Sequence, residues 1–166
     1  DLPKTKASQL NSKGDPIIIS IKKNGELRVL TRNAGTTYYT DKAGNPVGFE
    51  YELAKNFANH LGVKLVMTPV SSLSGVLEGL NQGRGDLVAS GMTDTPARRK
   101  NYLAGPSYLE ITQKLVCNHS FKGDTIDDLK DVRMVIVKGS SYEENLKQKK
   151  KSHAFLQWET ISDLSS

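Results

Sequence analysis

Cysteine and long apolar runs are both scarce in this sequence. Cys117 is the only cysteine among 166 residues, so an internal disulfide, and with it a disulfide-stapled scaffold, is excluded. Because Cys117 ends the apolar run 115–117, we expect it to be buried as a small hydrophobic residue rather than to react. No apolar run approaches the roughly 20 residues that a membrane-spanning helix needs. Cysteine usage therefore leaves the compartment open.

Signatures of catalysis are also missing. His60, His119 and His153 are scattered, without the spacing of metal ligands. Glu50 and Glu52 stand two apart on a predicted helix, so they point in different directions and make a poor acid/base pair. No Gly-x-Ser-x-Gly motif and no complete dinucleotide fingerprint occurs. We therefore predict no metal site, no cofactor and no enzymatic activity for this chain.

The positive charge is diffuse. The net charge is +5, and its densest piece is the lysine-rich stretch 147–151. Few aromatic residues are interleaved there, which favours a solvated helix end over a nucleic-acid surface. With 37% apolar and 25% charged residues, the composition is typical of a globular protein. We expect no nucleic-acid partner.

The first half of the chain alternates between strand and helix patterns. Residues 1–24 are interpreted as a linker or tether, although 17–23 can begin a short helix. The clearest helix is 50–61, where Tyr51, Ala54, Phe57, Ala58 and Leu61 predict one apolar face and Gly62 the end. The predicted elements of this half are strand 26–31, helix 50–61, strand 63–67, helix 73–81 and strand 87–89. Such alternation predicts a mainly parallel sheet covered by helices.

The second half begins with a long β-rich segment, 108–117. We predict that 109–117 crosses from a first α/β lobe, 25–108, to a second lobe, 118–166. The elements predicted after the crossover are a short helix 124–129, strand 133–137, helix 142–150 and a strand over 155–159. These are too few strands for a whole lobe, so we expect the second lobe to be truncated.

Arg98 stands out electrostatically. Thr95 and Pro96 predict a helix start, with Thr95 as the N-cap and Pro96 at the first helical position. Arg98 would then lie at the positive end of the helix dipole, which is unfavourable unless an anion is bound there. A solvated arginine beside Arg99 and Lys100 is the competing interpretation.

Two strand-to-helix junctions predict a binding site. Both 91–98 and 139–141 combine hydroxyl groups with exposed backbone N–H groups, which attract carboxylates. Ligands of open α/β sheets bind at this carboxyl edge of the strands. Tyr38 and Tyr39 follow the first strand at the same edge. They could cover an apolar part of a ligand, or simply pack against the lobe.

Several stretches together resemble a known family. LRVLTR, GNPVGFEYELAKNFANHLGVKL, GLNQGRGDLVASGMTDTPARR and DLKDVRMVIVKGSS resemble the polar-amino-acid class of periplasmic solute-binding proteins, from about residue 27 onward. Within that class, TTYYTDKAGNPVGFEYELAKNFANHLGVKL and RRKNYLAGPSYLEITQKLV are most similar to the N-terminal regulatory domain of the membrane-bound lytic murein transglycosylase F family.

The resemblance implies a periplasmic-binding-protein-like fold of two α/β lobes that close on a small ligand. It implies that Arg98 holds an α-carboxylate, with the Gly91 backbone and the Thr93 hydroxyl beside it. Ser140 and Ser141 would contact the ligand from the second lobe. Asp94 departs from the family, which usually has an uncharged residue there, and would alter the charge of the site.

The acidic ligand of the α-ammonium group and the remaining strands of the second lobe would lie beyond residue 166. The catalytic Glu-Ser motif of the transglycosylases is absent from the sequence. We therefore expect a fragment, whose open sheet edges can pair or swap with another copy.

The first functional hypothesis is a ligand-sensing, regulatory, solute-binding-like domain of a periplasmic lytic transglycosylase. Its ligand would be an amino acid or a peptide from peptidoglycan, and the full-length protein would provide any association with the outer membrane. The alternative is the substrate-binding protein of an amino-acid ABC transporter. A catalytic form of the scaffold, such as an amino-acid dehydratase, is disfavoured because no acid/base pair is present.

Overall fold

The computed structural model describes residues 16–162, which divide into two compact units. Within the described part, the first unit contains 16–70 and Val76–Gly91, and the second contains Ser71–Gly75 and 92–162. This division lies nearer the N-terminus than the boundary that the sequence predicted at residue 108. Residues 1–15, most of the predicted tether, lie outside the described part.

The elements follow the predicted alternation in the first half of the chain. They are α1 Pro16–Asn24, β1 Glu26–Thr31, β2 Tyr39–Thr40, β3 Pro46–Val47, α2 Phe49–Leu61, β4 Lys64–Pro69, α3 Leu73–Asn81 and β5 Leu87–Val88. The second half contributes β6 Met134–Val137, α4 Ser141–Lys150 and β7 Trp158–Ile161. Single 3₁₀ turns lie at Arg98–Lys100 and Asp127–Leu129.

A parallel three-stranded sheet organises the first unit, in the order β4-β1-β5. Leu27 and Val29 of the central strand are fully buried, as expected for a strand that is paired on both sides. Helix α1 adds Ile21 to the same core. The short helix that the sequence allowed over 17–23 is therefore present as α1 and packs on the sheet, inside the range 1–24 that was interpreted as a linker or tether.

Helix α2 has the predicted length and end, and Ala54, Ala58 and Leu61 of its predicted apolar face pack on the core. Gly62 closes it in the left-handed conformation, with φ of 72°, as predicted. Ala54 and Ala58 are buried against the sheet, whereas Phe57 is 36% exposed. Glu50, one turn before Ala54, is also buried. Small side chains let α2 approach β1 and β4 closely, and the larger Phe57 lies outside that contact.

The second unit contains a parallel pair of strands, β6 and β7, with α4 packed against β6. Strand β6 lies where it was predicted, but β7 pairs three residues later than expected, beginning at Trp158. The predicted helix 124–129 is shortened to the turn Asp127–Leu129. In the observed register Met134 pairs with Trp158 and Val137 with Ile161, so apolar residues lie opposite each other at both ends of the strand pair.

The predicted β-rich segment 108–117 is wrong as a strand. In the described part of the chain it has no strand partner, and Leu109, Ile111 and Val116 are exposed. Cys117 is exposed as well, contrary to the expectation of burial. β-propensity alone does not hold an extended segment in a sheet, because a strand needs a partner for its backbone groups. Between residues 16 and 162, no helix is long and apolar enough to cross a bilayer.

Candidate ligand-binding site

Arg98 begins a single 3₁₀ turn, not the longer helix that Thr95 and Pro96 predicted. The predicted cap is nevertheless present, because the Arg98 N–H donates to Thr95 Oγ1 at 3.2 Å. The turn ends at Asn101, whose φ of −120° lies outside the helical range. The cap is therefore present although only one turn of helix follows it.

The Arg98 side chain is buried, with only 8% of the residue exposed. Its Nη1 donates to the Thr93 carbonyl at 2.8 Å, and its Nη2 donates to the Gly139 carbonyl at 2.9 Å. These bonds fix the plane of the guanidinium between the two predicted junctions. The competing interpretation of a solvated arginine is excluded by this burial.

A carboxylate of the chain itself lies against this guanidinium. Glu144 Oε1 is 3.0 Å from Arg98 Nε, and Glu144 Oε2 accepts a 2.6 Å hydrogen bond from Thr95 Oγ1. The Nε–H of Arg98 nevertheless has no hydrogen-bond partner, so the Oε1 contact is an ion pair without hydrogen-bond alignment. Charge, rather than directed hydrogen bonding, therefore holds this contact.

The two serines of the second junction have different roles. The Ser140 hydroxyl caps α4 by accepting from the Glu143 N–H at 3.3 Å, so it serves the helix. The Ser141 hydroxyl donates to Thr93 Oγ1 at 3.1 Å and accepts from Gln113 Nε2 at 2.9 Å. Thr93 therefore contacts Arg98 of its own junction through its carbonyl and Ser141 of the other junction through its hydroxyl.

Glu143 supports the same loop from the helix side. Its Oε2 accepts from the Gly139 N–H at 2.8 Å, and Lys147 Nζ lies 2.7 Å from its Oε1. Burial by itself would raise the pKa of this carboxyl, but the Lys147 side chain and the Gly139 N–H lower it by more. A carboxylate that stays charged holds the Gly139 turn, and with it the carbonyl that accepts from Arg98.

Asp94 does not add an unpaired charge to this site. Its carboxylate accepts from Arg99 Nε at 2.7 Å and also bonds Arg99 Nη2, while Arg99 is largely exposed. Hydrogen bonding from Arg99 holds the pKa of the Asp94 carboxyl below its usual value. The departure from the family pattern is therefore neutralised locally by the next arginine.

The backbone N–H of Gly91, in the first unit, donates a hydrogen bond to Glu50 Oε2 at 2.7 Å. The φ of Gly91 is 65°, in the left-handed region that glycine adopts without strain. The neighbouring Ser90 is 4% exposed, and its hydroxyl has no hydrogen-bond partner. The Gly91 N–H is therefore bound to Glu50, whereas the Ser90 hydroxyl next to it makes no hydrogen bond.

The two tyrosines face different environments. Tyr38 is half-buried, and its ring meets that of Tyr51 edge-on at 5.9 Å between centroids. Tyr39 is 40% exposed in β2. Alternation along an extended chain explains the difference, because successive side chains point to opposite faces. Tyr38 therefore makes a packing contact with Tyr51, and Tyr39 is the more exposed of the two.

Sequence reasoning missed Glu144, Gln113 and Asn145. Asn145 Nδ2 donates to Gln113 Oε1 at 2.7 Å, which extends the network from Ser141 onto α4. Glu144 lies in the first turn of α4, directly after the predicted junction 139–141. That position could have identified it as a residue near the site. Nothing in the sequence indicated Gln113, because its segment was interpreted as a strand. Within residues 16–162, no cluster of three acidic, histidine or cysteine side chains could hold a metal ion.

Comparison with known proteins gives a consistent assignment. The family model of bacterial extracellular solute-binding proteins, family 3, matches residues 27–158. The membrane-bound lytic murein transglycosylase F of Saccharophagus degradans is 36% identical over 95% of this chain and 32% of its own length. That of Serratia proteamaculans is 40% identical over 88% of this chain and 30% of its own length. The chain therefore spans about a third of the length of these relatives.

A solved structure supports the fold. An ancestral amino acid-binding protein, described as a precursor of cyclohexadienyl dehydratase, superimposes with a TM-score of 0.71 at 30% identity. The match covers 89% of this chain and 66% of that one, which fits the expectation of a partial second lobe. The predicted periplasmic-binding-protein-like fold with parallel sheets is thereby confirmed. The chain belongs to the bacterial extracellular solute-binding proteins, family 3.

Proposed function

We propose that this chain is the ligand-sensing, regulatory domain of a periplasmic lytic murein transglycosylase and binds an amino acid or a peptidoglycan-derived peptide. The observation that carries the proposal is the buried guanidinium of Arg98, oriented by the carbonyls of Thr93 and Gly139 and facing a carboxylate. A fixed, buried guanidinium is suited to recognising a carboxylate. Relatives at 36–40% identity support the cell-wall enzyme as its setting.

The remaining members of the site supply polar contacts. Ser141 and Thr93 present linked hydroxyl groups beside Arg98, and Ser140 holds the start of α4. From the first unit we retain the Gly91 backbone, Tyr38 and Tyr39 as ligand contacts in the proposal. For Gly91 this requires its N–H to exchange Glu50 for a ligand oxygen.

Calorimetry with purified chain tests the proposal, using the twenty standard L-amino acids one at a time and short peptidoglycan stem peptides. Arg98→Ala should weaken binding by about 2–5 kcal/mol, because it removes a desolvated charge partner. Arg98→Lys keeps the charge but loses the planar fork, so it should also weaken binding. Absence of binding by the wild-type chain to every probe would contradict the proposal.

Arg99→Ala is the matched control. Arg99 is the next residue in the same turn, its side chain is 68% exposed, and it pairs with Asp94. Its loss should leave ligand affinity nearly unchanged. Equal losses from Arg98→Ala and Arg99→Ala would indicate a general effect of surface charge and would remove the case for a specific carboxylate anchor.

A second candidate is the substrate-binding protein of an amino-acid ABC transporter. It is favoured by the structural likeness to an ancestral amino acid-binding protein at 30% identity. The two functions differ in what is joined to the domain. A lytic transglycosylase domain in the same polypeptide, which we propose together with periplasmic location and outer-membrane association, would exclude the transporter function.

A further inference from the structure

The anion position of Arg98 is already filled by the protein. Arg98 is buried, and two of its nitrogen atoms are held by backbone carbonyls. The third, Nε, carries an N–H without a hydrogen bond and lies 3.0 Å from Glu144 Oε1. The guanidinium thus has a charge partner that leaves one of its directed donors unused.

Glu144 is the more movable member of this pair. Its side chain is 25% exposed, against 9% for that of Arg98. Its one well-aligned hydrogen bond comes from Thr95 Oγ1, at 2.6 Å, and a hydroxyl can turn to another acceptor. Because Glu144 lies on α4 at the edge of solvent, a change of rotamer can carry its carboxylate into water without unfolding the helix.

We propose that Glu144 is an intramolecular competitor that occupies Arg98 in the unliganded chain and is displaced by the ligand carboxylate. The inference rests on the proposed function and names a residue that sets its affinity and selectivity. A ligand must replace the Glu144 ion pair, so it needs a carboxylate that also satisfies Arg98 Nε–H. Neutral analogues bring no anion to the guanidinium, so they gain nothing when they meet Arg98, whether or not Glu144 occupies it.

Glu144→Gln tests this directly. Glutamine keeps a carbonyl oxygen for Thr95 and nearly the same shape but removes the competing charge. Affinity for amino acids should rise roughly tenfold or more. In the variant, the ligand carboxylate no longer has to break the ion pair between Glu144 and Arg98 before it binds the guanidinium. The gain should be confined to amino acids with a free α-carboxylate and absent for their carboxamides.

Glu159→Gln is the matched control. Glu159 also pairs with an arginine of the second unit, Arg133 at 2.7 Å, but both side chains are more than half exposed. The substitution Glu159→Gln removes one negative charge from the second unit, as Glu144→Gln does, but leaves the ion pair of Arg98 intact. Amino-acid affinity should not change, which separates local competition from the long-range effect of net charge.

A second measurement does not depend on variants. In a ¹H–¹⁵N spectrum, the Nε–H signal of Arg98 should move downfield when an amino acid is added to the wild-type chain, because a new hydrogen bond forms there. The Glu144 side-chain carboxyl signal should shift toward that of a solvated glutamate in the same titration.

The outcomes separate the two proposals. If the wild-type chain binds an amino acid through Arg98 and Glu144→Gln leaves the affinity unchanged, the competitor is refuted while the proposed function stands. If Glu144→Gln weakens binding, Glu144 is a ligand contact and the inference is also refuted. If neither wild-type nor Glu144→Gln protein binds any amino acid or stem peptide, the proposed function fails and the inference fails with it.

Discussion

The carboxylate of Asp86 accepts hydrogen bonds from both the backbone and the side chain of Arg28, at 2.9 Å from the N–H and 2.7 Å from Nη2. The contact joins the entry of β5 to the middle of the central strand β1. Burial alone would raise the pKa of Asp86, but these hydrogen bonds and the charge of Arg28 lower it below its usual value. A single residue thus fixes the short strand that leads to Gly91.

Asp86→Asn should destabilise the chain by about 1 kcal/mol at pH 7, since Arg28 is partly exposed and the pair is screened. A lowered folded-state pKa adds stability above the unfolded value, about 3.9, which is lost as pH falls through the folded value. The difference between wild type and variant in urea unfolding should therefore shrink below about pH 4. Glu52→Gln, in an exposed pair with Lys55, is the control and should cost little.

Gly48→Ala should be among the most damaging single substitutions. A Cβ at Gly48 would lie 2.3 Å from the Thr37 carbonyl oxygen, and its φ of 137° is unfavourable for alanine. Because the obstacle is backbone, the 37–38 loop must move, and we expect a loss of more than 2 kcal/mol in unfolding free energy. Gly44→Ala, at φ of 87° in open space, should cost only about 1 kcal/mol. Equal losses would show that steric contact at Gly48 is unimportant.

Glu50→Ala should loosen the loop after β5. It removes the acceptor of the Gly91 N–H, which then loses its 2.7 Å bond within the first unit. The expected cost is about 1–3 kcal/mol, and hydrogen exchange at the Gly91 amide should accelerate. Glu50→Gln keeps an acceptor and should restore most of the protection. An unchanged exchange rate in Glu50→Ala would refute this role.

Ser140→Ala and Ser141→Ala should separate structure from binding. Ser140 caps α4, so its loss should cost about 1 kcal/mol of stability. Ser141 bonds Thr93 and Gln113 instead, so its loss should mainly reduce affinity for the amino acid that the wild type binds. Paired thermal melts and calorimetry measure both. If Ser141→Ala leaves affinity unchanged, Ser141 is not a ligand contact.

The isolated chain should not cleave peptidoglycan. The sequence has no Glu-Ser motif, and the matched family is one of solute-binding proteins. Incubation with purified sacculi should release no anhydro-muropeptides by mass spectrometry, with an active lytic transglycosylase as the positive control. Their release by pure chain, lost again on heat denaturation, would contradict this prediction.

The sequence by itself determined the elements whose signals are local. Periodicity and end signals placed β1, α2, α3 and β6 within a residue or two, because turn glycines and apolar spacing act within the element itself. The same reasoning singled out Arg98, since an arginine at a helix-start signal conflicts with local electrostatics and needs a partner from elsewhere.

Only the tertiary structure decided the features that depend on distant partners. Segment 108–117 has the composition of a strand but no strand beside it in the described part of the chain. Glu144 reaches Arg98 across 46 positions of sequence, a contact that no local pattern encodes. Phe57 is exposed because α2 approaches the sheet closely and only small side chains fit between them. Glu50 is buried because its carboxylate accepts a hydrogen bond from the Gly91 N–H. Local sequence signals determined which helices and strands form, and contacts between residues far apart in sequence determined which of them pack or pair with one another.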